Sequence, residues 1–109
     1  MTTPKPGQPA RGSRTGRPIM ALLDLLGRRW TLRVIWELRN APLSFRGLRA
    51  ACDDVSPTIL NRRLKELREA GIMEADGFGY GLTDAGHALL RALSPLQEWA
   101  DDWAASDSG

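Results

Sequence analysis

The chain has 109 residues, 42% of them apolar, and a formal net charge of +2, which is enough for the core of one domain and too little for a cofactor domain beside a substrate domain. One cysteine and one histidine exclude an internal disulfide and a zinc site built from Cys and His. No apolar run reaches the length of a membrane span and residues 1–17 lack the apolar core of a secretory signal, so the expectation is a soluble, cytoplasmic protein with no membrane partner, no metal and no cofactor.

Charge is unevenly distributed. Lys5, Arg11, Arg14 and Arg17 stand in a Pro-, Gly-, Ser- and Thr-rich stretch without an acid, so residues 1–16 read as a basic disordered tail. Arg28, Arg29, Arg33, Arg39, Arg46 and Arg49 face only Glu37 across residues 28–49, whereas residues 71–90 hold Glu74, Asp76 and Asp84 and no Lys or Arg. Such polarity points to a polyanionic partner on one side of the molecule.

In chain order, Pro18 opens a short helix with Ile19, Leu22, Leu23, Leu25 and Leu26 that stops before Gly27. A second helix runs from about Trp30 or Thr31 to Arg39, ended by Asn40 and Pro42. Leu43 starts a brief edge strand, Ser44 caps a helix to about Ala51, and Asp53-Asp54 marks a turn. Ser56-Pro57 is the clearest boundary, a serine cap followed by proline at the first helical position of a segment reaching about Ala70. Gly71 stops it, Ile72–Ala75 forms a strand, Asp76-Gly77 turns, and Phe78–Leu82 returns, with Phe78 and Tyr80 closing one side of the hairpin. Thr83 caps a last helical region in which Pro95 kinks or divides the helix near Ser94. The boundaries drawn are 17–104 for the folded domain and 105–109 for a flexible C-terminus.

In the Ser56–Ala70 helix, Leu60, Leu64 and Leu67 share one face, and Thr58, Asn61, Arg62 and Lys65 lie opposite. Two short helices joined by a turn, the second donor-rich outside and followed by a hairpin, make a winged helix-turn-helix: a mainly α fold with a small β-hairpin. The B-DNA major groove admits one helix, so these four side chains can meet base edges or phosphates, Asn pairing with adenine and Arg with guanine. Ser56 and the free amides at the helix start can hold a phosphate, and Arg46 and Arg49 on the preceding helix are further phosphate contacts. Arg63 borders the core face and suits an internal ion pair or aliphatic packing. Arg28 and Arg29 oppose the macrodipole of the helix they precede, which leaves a phosphate, ordinary surface charge or an acid elsewhere in the chain as explanations. Trp30 and Trp36 read as core or interface side chains. The hairpin has no base, so helix contacts in the major groove dominate the expected binding.

These residues also resemble a known family. Leu26-Gly27-Arg28-Arg29-Trp30-Thr31-Leu32 is similar to the GGKWTLLIL segment of HxlR-type winged-helix regulators, relatives of MarR-type proteins. Phe45-Arg46-Gly47-Leu48 is similar to their RFNEL, Ser56 to Leu67 to ISPKMLTQRLKELE, Ala70-Gly71-Ile72-Met73 to the GLI strand entry, and Tyr80 to Gly86 to VEYSLTELG. The resemblance runs from about Pro18 to Trp103 in one consistent order. It implies a transcriptional regulator that binds double-stranded DNA at a pseudo-palindromic operator as a homodimer, with Ser56–Ala70 as recognition helix and the first and last helices as dimer interface. The stripe Leu89, Leu93, Leu96, Ala100, Trp103, with Trp99 beside it and Leu22 on the first helix, fits that interface. Many members place a cysteine immediately before the proline of the first helix; Arg17 stands there instead, which argues against a thiol sensor at that place. The family wing is also longer and more basic.

Three other readings compete. A winged-helix assembly module could use the acidic hairpin and the apolar last helix to hold a protein partner. An enzyme is disfavoured, because His87 has no second histidine and no catalytic residue is assigned. A small-molecule effector is compatible with Trp30, Trp36 and Trp99 lining an interhelical pocket. Cys52, beside Asp53 and Asp54, is expected to be a partly buried, unreactive thiol whose pKa the acids raise.

Overall fold

Local chemistry sets the boundary of each element. The computed structural model describes residues 17–108, so the tail drawn at residues 1–16 lies outside the described residues. Pro18 opens α1 (Pro18–Leu26), and the Gly27 N–H closes it by donating to the Leu23 carbonyl at 2.9 Å. α2 (Thr31–Glu37) follows Trp30, which stands at φ +76° in the left-handed region that bulky side chains rarely enter. Ser44 caps α3 (Phe45–Ala51), its Oγ accepting the Gly47 N–H at 3.0 Å. Asp53 and Asp54, both at φ +57°, form the turn into α4 (Pro57–Glu69); short polar side chains tolerate that conformation. Ser56 caps α4 with a long contact, 3.5 Å, from the Ile59 N–H.

The end of α4 is a Schellman motif. Gly71, at φ +77°, donates to the Arg68 carbonyl and Ile72 to the Leu67 carbonyl, both at 3.0 Å. The chain then enters β1 (Met73–Asp76), which pairs antiparallel with β2 (Gly79–Leu82) in the register Met73 to Leu82 and Asp76 to Gly79. Gly77-Phe78 is therefore the two-residue loop. Leu43 bridges Tyr80 on the other side of β2, with reciprocal hydrogen bonds of 2.9 and 2.8 Å, so the expected edge strand is one residue long.

α5 (Asp84–Ser108) is a single helix through Pro95. The sequence-based division near Ser94 does not occur. Arg91 and Pro95 are both exposed, so the carbonyl that loses its donor opposite Pro95 lies on the wet side of the helix. The helix also carries residues 105–108, past the boundary drawn at 104.

The core is one cluster. Val34, Ile35 and Leu38 of the α2 segment, Leu48 of α3 and Leu60, Leu64 and Leu67 of α4 are fully buried, joined by Leu25, Met73 and Leu82. The first half of α5 closes it with Leu89, Leu90 and Leu93, packing against α2 and β2. Contact there is close: a methyl group at Gly86 would lie 2.2 Å from the Ile72 carbonyl oxygen. Gly86→Ala is expected to push α5 off the hairpin and destabilise the fold by about 1–3 kcal/mol. Gly77→Ala, with no atom within 4 Å of the added methyl, stays within about 0.5 kcal/mol of the parent; urea unfolding of both variants checks the contrast.

Candidate nucleic-acid interface

α4 presents two chemically distinct faces. Leu60, Leu64 and Leu67 are buried, and Thr58, Asn61, Arg62 and Lys65 are exposed together on the outside, as the spacing predicts. Ser56 lies at the start of this face with its Oγ engaged in the cap. Arg46 projects from the exposed side of α3. Arg49 is partly buried, and its Nε donates to the Val55 carbonyl at 2.8 Å, holding the turn that aims α4.

The flank of α4 carries a feature the sequence did not reveal. Glu66 is only 5% exposed. Its carboxylate accepts Arg28 Nη1 through one oxygen and Arg63 Nη1 at 2.8 Å through the other. Arg28 Nη2 also reaches Asp24 at 3.2 Å, and Arg63 Nε donates to the Arg29 carbonyl at 2.7 Å. Of the two roles expected for Arg63 the internal ion pair is found, and of the explanations left open for Arg28 the acid partner is the one found. At 100° per residue Glu66 falls outside the arc of Leu60, Leu64 and Leu67; it is covered by contacts from the α1–α2 turn and its own helix. The available signal was the pair Arg28-Arg29 at a helix start, where cations need an acid from elsewhere.

Much of the basic run at residues 28–49 is therefore architectural. Arg33 binds Glu37 at 2.8 Å, Asp53 at 3.3 Å and the Ala51 carbonyl at 2.8 Å, tying α2 to the α3–α4 turn. Arg39 lies 4.0 Å from the centre of the Trp36 ring and donates to the Trp36 carbonyl at 3.0 Å. Trp36, expected in a core or interface, is 40% exposed beneath it.

The hairpin tip is acidic and projects an aromatic. Asp76 Oδ1 accepts the N–H groups of Phe78 and Gly79 at 2.7 and 3.1 Å. Phe78 is 92% exposed and does not close a side of the hairpin as expected, because the register puts it in the loop rather than on a strand face. Tyr80 alone turns inward, its ring 6.5 Å from that of Phe45.

Other expectations resolve as follows. Cys52 is fully buried rather than partly, and burial, more than Glu37 and Asp53, pushes its thiol pKa up, while Arg33 acts in the opposite direction. His87 is exposed on α5. Among the described residues no cluster of His, Cys, Asp and Glu could hold a metal, and no helix is long and apolar enough to cross a membrane. Of the three tryptophans expected around an interhelical pocket, only Trp36 lines the cleft of about 620 Å³ between α2 and α5; Leu32, Arg39, Leu90 and Leu96 are among its other walls.

Along the stripe assigned to the dimer interface, Leu22, Leu89 and Leu93 are half-buried against the domain's own core. Leu96, Trp99, Ala100 and Trp103 are exposed, and the rings of Trp99 and Trp103 stack 5.8 Å apart.

A family model described as HxlR-like helix-turn-helix matches residues 25–108. The chain belongs to that family. The HTH-type transcriptional regulator YvaP of Bacillus subtilis, itself uncharacterized, is 33% identical over 88 residues, covering 74% of this chain and 82% of that protein. The crystal structure of quinone-bound YodB from B. subtilis superposes with a TM-score of 0.74 at 33% identity, covering 77% of this chain and 96% of that one. A possible HxlR family transcriptional factor from Thermoplasma volcanium superposes with a TM-score of 0.69 at 30% identity, covering 80% and 84% of the two chains. This HxlR-like protein is a winged helix-turn-helix, DNA-binding transcriptional regulator, the reading its relatives share in preference to an assembly module.

In this HxlR-like fold, removing the shared acid takes a carboxylate partner from two largely buried guanidinium groups at once. Glu66→Ala is expected to destabilise the protein by about 3–5 kcal/mol, read from the urea midpoint.

Proposed function

We propose that the protein acts as a homodimeric repressor, each copy laying α4 in the major groove of one half of a pseudo-palindromic operator. The observation that carries this is the outer face of α4, where Thr58, Asn61, Arg62 and Lys65 are exposed together with no acid between them up to Lys65. In this reading Asn61 and Arg62 meet base edges, while Thr58, Lys65, Ser56, Arg46 and the outer nitrogens of Arg49 meet phosphates. Occupation of the operator by a small dimer blocks transcription sterically, which needs no activating surface. The protein works in the cytoplasm, where the DNA is.

Dimerisation is supported by exposed apolar area. Leu96, Trp99 and Trp103 on α5 are 59%, 61% and 62% exposed, and Ile19 and Leu23 on α1 are 55% and 54% exposed, an unusual load for one short domain left in water. A second copy would cover it with two-fold symmetry. The proposal includes a small-molecule effector at the α2–α5 cleft. Leu96 and Ala100 line that cleft and also belong to the stripe, so occupancy and dimerisation would share residues.

Two experiments test this reading. Asn61→Ala is expected to cost about 1–3 kcal/mol on the operator and nothing on scrambled duplex, while Lys65→Ala weakens both equally and makes the salt dependence shallower by about one unit of slope. Both variants binding the operator like the parent sinks the assigned face. In sedimentation at micromolar protein, the parent runs as a dimer and the double variant Trp99→Asp with Trp103→Asp as a folded monomer; a parent that stays monomeric at every concentration overturns the dimer.

A further inference from the structure

We propose that the cleft between the α1–α2 turn and α4 holds a backbone phosphate of the bound DNA, with Arg29 as its main ligand. The proposal rests on the reading that α4 enters the major groove. The cleft has a volume of about 400 Å³ and is lined by Asp24, Arg28, Arg29, Arg62 and Arg63 among others. Its interior charges are matched: Arg28 pairs with Asp24 and Glu66, and Arg63 pairs with Glu66. Arg29 and Arg62 at its mouth are exposed, so the site presents an excess of positive charge to water.

Arg29 is held ready for an anion. Its carbonyl is fixed by Arg63 Nε at 2.7 Å, which ties its backbone to the recognition helix itself. Its guanidinium carbon lies 5.8 Å from the centre of the Trp30 ring, so the indole supports one face of the group while its N–H edge remains available. Trp30 adopts φ +76° in the same turn, a conformation a bulky residue takes only where its surroundings impose it. The Arg63 bond keeps the Arg29 backbone beside α4, and helix propensity does not explain a cation in front of α2.

Geometry makes DNA the occupant. A helix about 10–12 Å across fills a major groove about 12 Å wide, so the phosphates of both strands lie along its flanks. Asn61, Arg62 and Arg63 step round α4 from the outward face to the buried edge, which sets the cleft beside the reading face. Arg46 and Ser56 serve the start of α4; Arg29 serves its flank.

The test uses the full chain with Arg29→Gln and Arg29→Lys, titrated onto operator and scrambled duplexes over a range of salt. Arg29→Gln is expected to weaken both duplexes by the same factor, about three- to tenfold, and to lower the salt slope by about 0.9, with an unchanged urea midpoint. Arg29→Lys restores the slope, because the phosphate needs a cation there. Ethylation of one phosphate beside the half-site interferes with the parent and not with Arg29→Gln. An unchanged slope in Arg29→Gln, with the parent binding normally, overturns the inference while leaving the α4 reading intact. A parent that binds no duplex overturns both. Titration with inorganic phosphate separates the remaining source: saturable binding lost in Arg29→Gln without any change in DNA slope assigns the cleft to a free anion and overturns the DNA site.

Discussion

The orientation of α4 depends on one buried carboxylate, Glu66. Glu66 projects from the flank of α4 and holds Arg28 from the α1–α2 turn and Arg63 from its own helix, while Arg28 also holds Asp24 of α1. Charges taken out of water must find partners in good geometry, since any one left alone is far costlier than the set together. Rotation or sliding of α4 against α1 would break several of these bonds at once. The apolar contacts of Leu60, Leu64 and Leu67 supply the adhesion; the ion network supplies the angle.

The other side of α4 is held through carbonyl groups. Arg49 reaches the Val55 carbonyl and Arg33 the Ala51 carbonyl, so two guanidinium groups staple the left-handed Asp53-Asp54 turn that precedes the helix. Planar, multiply donating groups suit this work because each makes several directed bonds without deprotonating. The result is a division of labour among basic residues. Those turned inward fix the geometry of α4, and Arg29, Arg46, Arg62 and Lys65 are turned outward to solvent.

The fold was largely legible because its boundaries are written in local chemistry. Ser44, Ser56-Pro57, Gly71 and the alternation of Leu60, Leu64 and Leu67 each act within a few residues, and the elements lie where those signals put them. What escaped depends on contacts remote in sequence. Glu66 is buried by a turn 38 positions away from it, Cys52 by the closing of the whole core, and Phe78 is exposed by a shift in register that local patterns do not specify. Of the two outcomes expected at Pro95, a kink or a division, the division does not occur, because at an exposed position the helix runs on through the proline. The outer face of α4 was readable residue by residue; the distinction between outward and bracing arginines was not, since both kinds look alike until their partners are placed.

The hairpin has a further meaning when its edges are considered. β2 is bonded to β1 on one side and bridged by Leu43 on the other, so the open edge of this small sheet belongs to β1, four residues carrying Glu74 and Asp76. An unpaired strand edge is a template for joining another chain, and short length with like charge is how proteins discourage it. A molecule that exposes Trp99 and Trp103 on a long helix already has one surface open to association, and a short, acidic strand edge does not add a second. The acids of β1 are suited to keeping strand edges of separate molecules from pairing.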